Sequence, residues 1–291
     1  MSELRPESPV RRPQTARPRE DTVPEVEPPT TAELEAIQRH LVTLPVQEGA
    51  EVEDDDQLGV TFVRGHSAGP DMTYAAMPQW DSTSWPDALT AVRGRMLDQN
   101  SWPSMLLTDR LEHPPELPAE LRRQGWSPVM SETVLWVGHA SVVPHLDPGM
   151  RIEAVQARSL ETHERLERRI FGIGADQVER RRAALGSALE DGRLRAWVVW
   201  LDDEPVAVAR LSQGDGVAGL QAIGVVEPHR GRGYGTLITT IATRAGMATG
   251  NRIVWLSVRD ENDPAVSVYG TLGFRRAFGW TRWLMTGDPR R

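Results

Sequence analysis

Apolar and polar positions are laid out in short blocks along this chain. From position 31, Leu34, Ile37, His40 and Leu41 share one face at helical spacing, and Thr30 or Thr31 can cap that helix. Residues 58–63 and 72–77 read as strands. Residues 87–97 read as a helix with Leu89, Val92 and Met96 inward, 104–107 as a short strand and 118–124 as a helix. Gly125-Trp126 follows, then a strand pair ending near Val137. After Pro144, Pro148 and Gly149, which mark a linker, the blocks resume. Residues 151–154 are a strand. Residues 159–169 and 175–189 are helices parted by Phe171-Gly172-Ile173-Gly174. Residues 195–201 and 205–212 are strands joined by an Asp202-Asp203-Glu204 turn. A mostly apolar run, 217–226, is short enough for a strand. Past it Leu237, Ile238, Ile241, Ala242 and Ala245 repeat at helical spacing, and 252–258 is strand-like.

Part of this order occurs twice. Pro118-Ala119 leads through a helix to Gly125-Trp126 and a strand bearing Thr133 and Trp136. Pro264-Ala265 leads through a helix to Gly273-Phe274 and a strand bearing Thr281 and Trp283. The chain thus reads as two α/β units, over 31–143 and 149–291, behind a leader. Residues 1–30 are rich in Pro, Arg and Glu, cannot bury enough apolar surface, and are expected to be disordered.

Composition narrows the chemistry. The 291 residues are enough for two domains, and 39% are hydrophobic. No apolar run approaches the roughly 20 residues of a membrane span, and no apolar signal core opens the chain, so a cytoplasmic location is expected with no membrane partner. There is no Cys and no Lys, which removes disulfides, thiolate ligands, a Cys nucleophile and a Schiff base. The net charge of −8 argues against nucleic acid and mildly favours cationic substrates. The seven His show no metal-ligand spacing. Five carboxylates between Glu51 and Asp56 read as a solvated acidic loop, and Arg180, Arg181 and Arg182 as an exposed helix face.

The candidate chemistry lies where the 217–226 strand meets the next helix, at Val225-Val226-Glu227-Pro228-His229-Arg230-Gly231-Arg232-Gly233-Tyr234-Gly235-Thr236. A helix start carries free N–H groups and a partial positive charge, and glycine lets a bulky anion approach them. The reading is a diphosphate site. The nucleotide-hydrolase loop, Gly-Lys-Ser/Thr, is absent, and the glycines do not fit G-x-G-x-x-G.

Arg230-Gly231-Arg232-Gly233-Tyr234-Gly235 fits Arg-x-x-Gly-x-Gly, and Asn262 to Phe274 fits Asn-x-x-Ala-x-x-x-Tyr-x-x-x-Gly-Phe without a gap. In that order and spacing these segments resemble the two signatures of the GNAT N-acetyltransferase family. The resemblance implies a mixed sheet flanked by helices, acetyl-CoA as co-substrate and an amine-bearing acceptor. It implies cofactor contacts from Ile223, Gly224, Val225, Val226, Arg230, Gly231, Arg232, Gly233, Tyr234, Gly235, Thr236 and Asn262, with Tyr269 as general acid. Asn262 could equally cap the following helix, and Gly224 could ease a strand bulge or a packing contact. Arg275 and Arg276 are further candidates for the ribose phosphate. Phe171 and Ile173 fall where the family lines its acceptor pocket, and Gln221 is the only polar side chain on the strand before the loop. No general base is visible there. A lysine-like amine, with a pKa near ~10.4, costs roughly 5 kcal/mol to deprotonate at pH 7, so an α-amine suits such a site better. With no Cys for an acyl-enzyme, direct transfer in a ternary complex is expected.

The first unit has neither Gly nor Arg in its corresponding loop, Met77 to Trp85, and carries Asp81 there. It resembles a degenerate GNAT copy, and the tandem is similar in architecture to the mycothiol synthases, which acetylate a cysteinyl amine. Joined units would replace a dimer, so a monomer is plausible. The alternatives are a non-catalytic acyl-CoA-binding regulator and a protein N-terminal acetyltransferase.

Overall fold

The computed structural model describes residues 26–65, 73–110, 113–144, 146–173 and 178–286. The expected disorder of residues 1–25 lies outside them. The last five residues of the expected leader are held in place: Arg252 donates to the carbonyls of Glu27 and Pro28, and Val26 packs against Gly138.

Helix α1, Thr31–Thr43, starts with a full capping box in which Thr30 and Glu33 bond each other's backbone N–H. It buries Ile37, His40, Leu41 and Val42. The first half continues with β1 Glu51–Asp55, β2 Val60–Arg64, β3 Tyr74–Ala76, α2 Trp85–Asp98, β4 Ser104–Thr108, α3 Leu117–Arg123 and β5 Trp126–Val137. The second half is β6 Met150–Ala154, α4 Leu160–Phe171, α5 Val178–Glu190, β7 Leu194–Leu201, β8 Glu204–Gly214, β9 Val217–Val225, α6 Tyr234–Ala248, β10 Val254–Arg259, α7 Asp263–Thr271 and β11 Arg275–Met285.

The strands of the described residues join one eleven-stranded mixed sheet in the order β1-β2-β3-β4-β11-β5-β10-β9-β8-β7-β6. The repeat legible in the sequence recurs in the connections. β3 runs parallel to β4 across α2, as β9 runs parallel to β10 across α6. The last strands are exchanged. β11 of the second half pairs with β4 of the first, and β5 of the first half pairs with β10 of the second. β5 and β11 then pair antiparallel with each other through the middle of the sheet. Each half therefore completes the other, and the sheet crosses the linker at 141–149 without a break.

Three expectations are corrected. The pair of strands after Trp126 is one strand of 12 residues, because exchange lays β11 beside it from Trp126 to Trp136 and β10 beside its second half, Glu132 to Val137. The acidic stretch 51–56 is mostly strand: Glu53 pairs with Arg64 and Arg95, and Asp55 with Arg95 and the amides of Gln57 and Leu58. Arg181 is buried, and Arg182 reaches Glu164. Arg181 Nη2 lies 2.7 Å from Glu167 and 3.2 Å from Glu48, while Arg210 reaches Glu48 at 2.8 Å and Glu167 at 3.0 Å. Burial alone would raise the Glu48 pKa, but the guanidiniums of Arg210 and Arg181 outweigh it and hold Glu48 down to about 2. The cluster ties the turn after α1 to α4, α5 and β8.

Candidate active site

The site is built where β9 leaves the sheet. β9 pairs with β10 only from Ala218 to Leu220, opposite Val254 to Leu256. Beyond that the two strands diverge, and the β9 edge facing β10 has no strand beside it. The cause is a bulge against β8: Val208 pairs with Gly224 and Arg210 with Gln221, so Ala222 and Ile223 together oppose Ala209. The strained residue is Ala222, at φ 48°. Gly224 has a different reason. A Cβ there would lie 2.6 Å from Ile170 Cγ2 and 2.8 Å from Phe171 Cζ, so its bareness lets the end of α4 close over the strand.

From this divergence a cleft of about 650 Å³ runs to the start of α6. Ile223, Gly224 and Val225 form one wall, and Ile170 with Phe171 another. Arg230, Gly231, Gly233, Gly235 and Thr236 form the floor, and Asn262 and Tyr269 the far side. Gly231 and Gly233 have φ 75° and 85°, which a residue with a Cβ adopts only under strain. Gly233 is the N-cap of α6, and no side chain caps that helix. Its first-turn amides and their positive end are thus left for an outside acceptor. The first half lacks this arrangement: Asp81 Oδ1 accepts from the amides of Thr83 and Ser84, each at 2.8 Å, so a carboxylate of the chain itself fills the anion position.

The remaining expected residues divide as follows. Asn262 lines the cleft, and its side chain caps α7 by accepting from Ala265 N at 3.4 Å. Val226 is buried and its amide donates to Val206 O at 3.0 Å, so it is spent on the sheet. Tyr234 is buried against His229. Arg232 and Ile173 do not line the cleft. Arg276 pairs with Asp109, and Arg275 stacks over Trp136, away from the site.

Tyr269 is 7% exposed and packs on Phe274, ring centroids 5.8 Å apart. Burial, helped by the negative charge of Glu132, pushes its phenol up to about 12. It stays protonated throughout neutral pH.

Glu132 is the residue the sequence did not disclose. It belongs to β5 of the first half, yet exchange sets it opposite Arg259 of β10 and Trp280 of β11. Its carboxylate accepts from Ser257 Oγ, which in turn accepts from Trp280 Nε1 at 2.9 Å. Burial raises its pKa, against the opposing pull of the Ser257 hydrogen bond. It lines a second cavity of about 250 Å³ on the α1 side of the divergence, with Tyr74, Gln221, Trp255, Trp280 and Arg282 in its walls. Gln221, expected near the acceptor, stands here and donates to Ser212 Oγ at 2.7 Å. No single-sequence signal couples positions 132 and 257; only the exchanged pairing does. Among the described residues no cluster of His, Asp and Glu could hold a metal ion, and no helix is long and apolar enough to cross a membrane.

Residues 159–274, which hold the whole cleft floor, match the model of the Acetyltransferase (GNAT) family. The chain is 41% identical over 68 residues, 23% of its length, to the uncharacterized N-acetyltransferase YobR of Bacillus subtilis (strain 168). That match spans 28% of the relative. Its fold is similar to that of a GCN5-related N-acetyltransferase from Kribbella flavida, with a TM-score of 0.66 at 20% identity over 87% of this chain and 97% of that one. It is also similar to a tandem GNAT protein from the clavulanic acid biosynthesis pathway, with a TM-score of 0.58 at 16% identity over 77% of each chain.

Proposed function

Residues 159–274 match the Acetyltransferase (GNAT) family, and from that match we propose that the protein transfers the acetyl group of acetyl-CoA directly to an amine. The observation that carries the reading is the uncapped α6 terminus, with Gly231 and Gly233 in left-handed conformation, at one end of a cleft that ends at the β9–β10 divergence. The residues present fit the co-substrate. The bare turn and Arg230 suit a pyrophosphate. The free β9 edge at 223–225 suits the amide-bearing pantetheine arm, and Ile170, Phe171 and Val268 supply apolar walls. When bound, acetyl-CoA supplies an activated acyl thioester.

The chain's own part is positioning and charge stabilisation. Amides on the β9 edge donate to the acyl oxygen as it gains charge. The Tyr269 hydroxyl donates toward the sulfur as it departs. A phenol held near 12 gives up its proton reluctantly to a thiolate whose acid lies near ~8.5. Its contribution is therefore mainly the hydrogen bond. Only one of the two loops is free for an anion, so one acetyl-CoA per chain is expected.

The test is release of free thiol from acetyl-CoA by the full chain across a panel of amines, with the acetylated amine identified by mass. Amine-dependent release supports the reading. Binding of acetyl-CoA with no turnover on any amine would leave a non-catalytic acyl-CoA binder.

A further inference from the structure

The cavity at Glu132 adjoins the cleft along β9. Leu220 and Gln221 line it, and the next residues of β9, Ile223 to Val225, line the cofactor cleft. The negative charge of Glu132 also reaches Tyr269, where it adds to burial in raising the phenol. The cavity is small, at about 250 Å³, and largely walled by Leu41, Leu44, Tyr74, Trp255 and Trp280. Its two charges are Glu132 and Arg282. On the pleated face, Glu132 stands opposite Trp280, and Arg282 lies two residues further along β11, a diagonal spacing of roughly 7–8 Å. Arg282 itself is 8% exposed, seated 3.7 Å over the Tyr74 ring.

We propose that this cavity is the acceptor site, that Glu132 is its general base, and that the acceptor is a compact amine carrying its own anionic group, about the size of an amino acid. The proposal rests on the acetyltransferase reading. The charges fit such a molecule: its ammonium meets Glu132 and its anion faces Arg282, while the apolar walls leave no room for a long chain. Arg259, Asp260 and Glu261 on the β10 side are the other charges acting on Glu132.

Two protons leave the ammonium. The first passes to the Glu132 carboxylate and gives the neutral amine. Its lone pair forms the N–C bond to the acyl carbon, and the C–S bond breaks with the electron pair going to sulfur. The second proton leaves the nitrogen for water, the departing sulfur, stabilised by the Tyr269 hydrogen bond, takes a proton back from water, and Glu132 returns its proton to water. The half that lost its own phosphate loop thus supplies the base to the half that kept one.

The decisive variant is Glu132→Gln in the full chain. Acetyl-CoA affinity by calorimetry is expected to stay within twofold. kcat/KM for the amine should fall about 10²-fold or more at pH 7. That deficit should shrink as pH rises toward the amine's own pKa, and Glu132→Asp should restore part of the rate. Saturation-transfer NMR without acetyl-CoA should show weaker amine contact in Glu132→Gln. If Glu132→Gln does not fold, Ser257→Ala serves. It removes the hydrogen bond that holds the carboxylate down, so the acid limb of the pH profile should move up. Free amino acids should outperform their decarboxylated monoamines and lysyl peptides at least tenfold. Wild-type rates and pH profile in either variant, or preference for the peptides, would overturn the proposal. Wild-type protein that binds no acetyl-CoA would instead overturn the function beneath it.

Discussion

Ile170 occupies the space that a side chain at Gly224 would need, with its Cγ2 2.6 Å from the position of a Cβ. This contact sets one wall of the cleft, because the last turn of α4 rests on the bulged part of β9. Gly224→Ala must push Ile170 and Phe171 outward. The expected cost is about 1–3 kcal/mol of stability, as for other overpacked sites. Acetyl-CoA affinity should fall at least fivefold with it. Chemical denaturation and calorimetry on the same preparation check both. A second change, Ile170→Ala, should recover part of the lost stability.

The buried ion cluster makes a prediction on stability alone. Glu167 is fully buried and answers both Arg181 and Arg210. Glu167→Gln leaves Glu48 alone to balance two guanidiniums. Removing one member of a buried ion pair costs about 3–5 kcal/mol. Thermal unfolding should show a loss on that scale, and a Tm unchanged by the substitution would mean the cluster is dispensable.

Acid should destabilise the fold in a defined window. Burial lowers the pKa of both His40 and His163 to about 4, against an ordinary value of 6.5. His40 is held neutral, taking a hydrogen bond from Trp255 Nε1 at 3.2 Å on Nδ1 and meeting Ser212 Oγ at 3.0 Å with Nε2. Below pH 6.5 the unfolded chain binds protons that the folded chain refuses. Stability is therefore full above pH 6.5 and falls as pH drops toward 4. Tm measured across this range should decline, and His163→Phe should flatten the decline.

Tyr269→Phe keeps the ring against Phe274 and removes only the hydroxyl. Turnover is expected to fall about 10²-fold or more, with acetyl-CoA affinity within twofold of wild type. Because the phenol is held near 12, no alkaline limb from Tyr269 should appear in the rate below pH 10. Steady-state kinetics and calorimetry separate the two effects, and an unaltered kcat would remove Tyr269 from the chemistry.

Much of the fold was legible because its signals are local. Period-3.6 and period-2 patterns located the helices and strands. Gly231, Gly233, Asn262 and Tyr269 announced the cleft because glycine spacing, cap and phenol all lie in two short segments. Arg181 misled because three consecutive arginines read as a solvated face, while the half-buried Glu48 and the buried Glu167 that claim one of them lie 133 and 14 residues away. Glu132 was hidden for the same reason: its place depends on which strand is exchanged with which. Gly224 was visible as a glycine, but its partner Ile170 was not, so the bulge and the close packing could not be told apart.

The central claim is that the bare start of α6 binds the pyrophosphate of acetyl-CoA. The most direct measurement is a calorimetric titration of acetyl-CoA into wild type, Gly233→Asn and Gly233→Asp. Asn and Asp have the same shape and tolerate the left-handed conformation at φ 85° about equally, so the pair differs in charge. The account predicts one site per chain, a modest loss for Gly233→Asn, and a further loss of at least tenfold for Gly233→Asp. No binding to wild type, or equal affinity in the two variants, would contradict it.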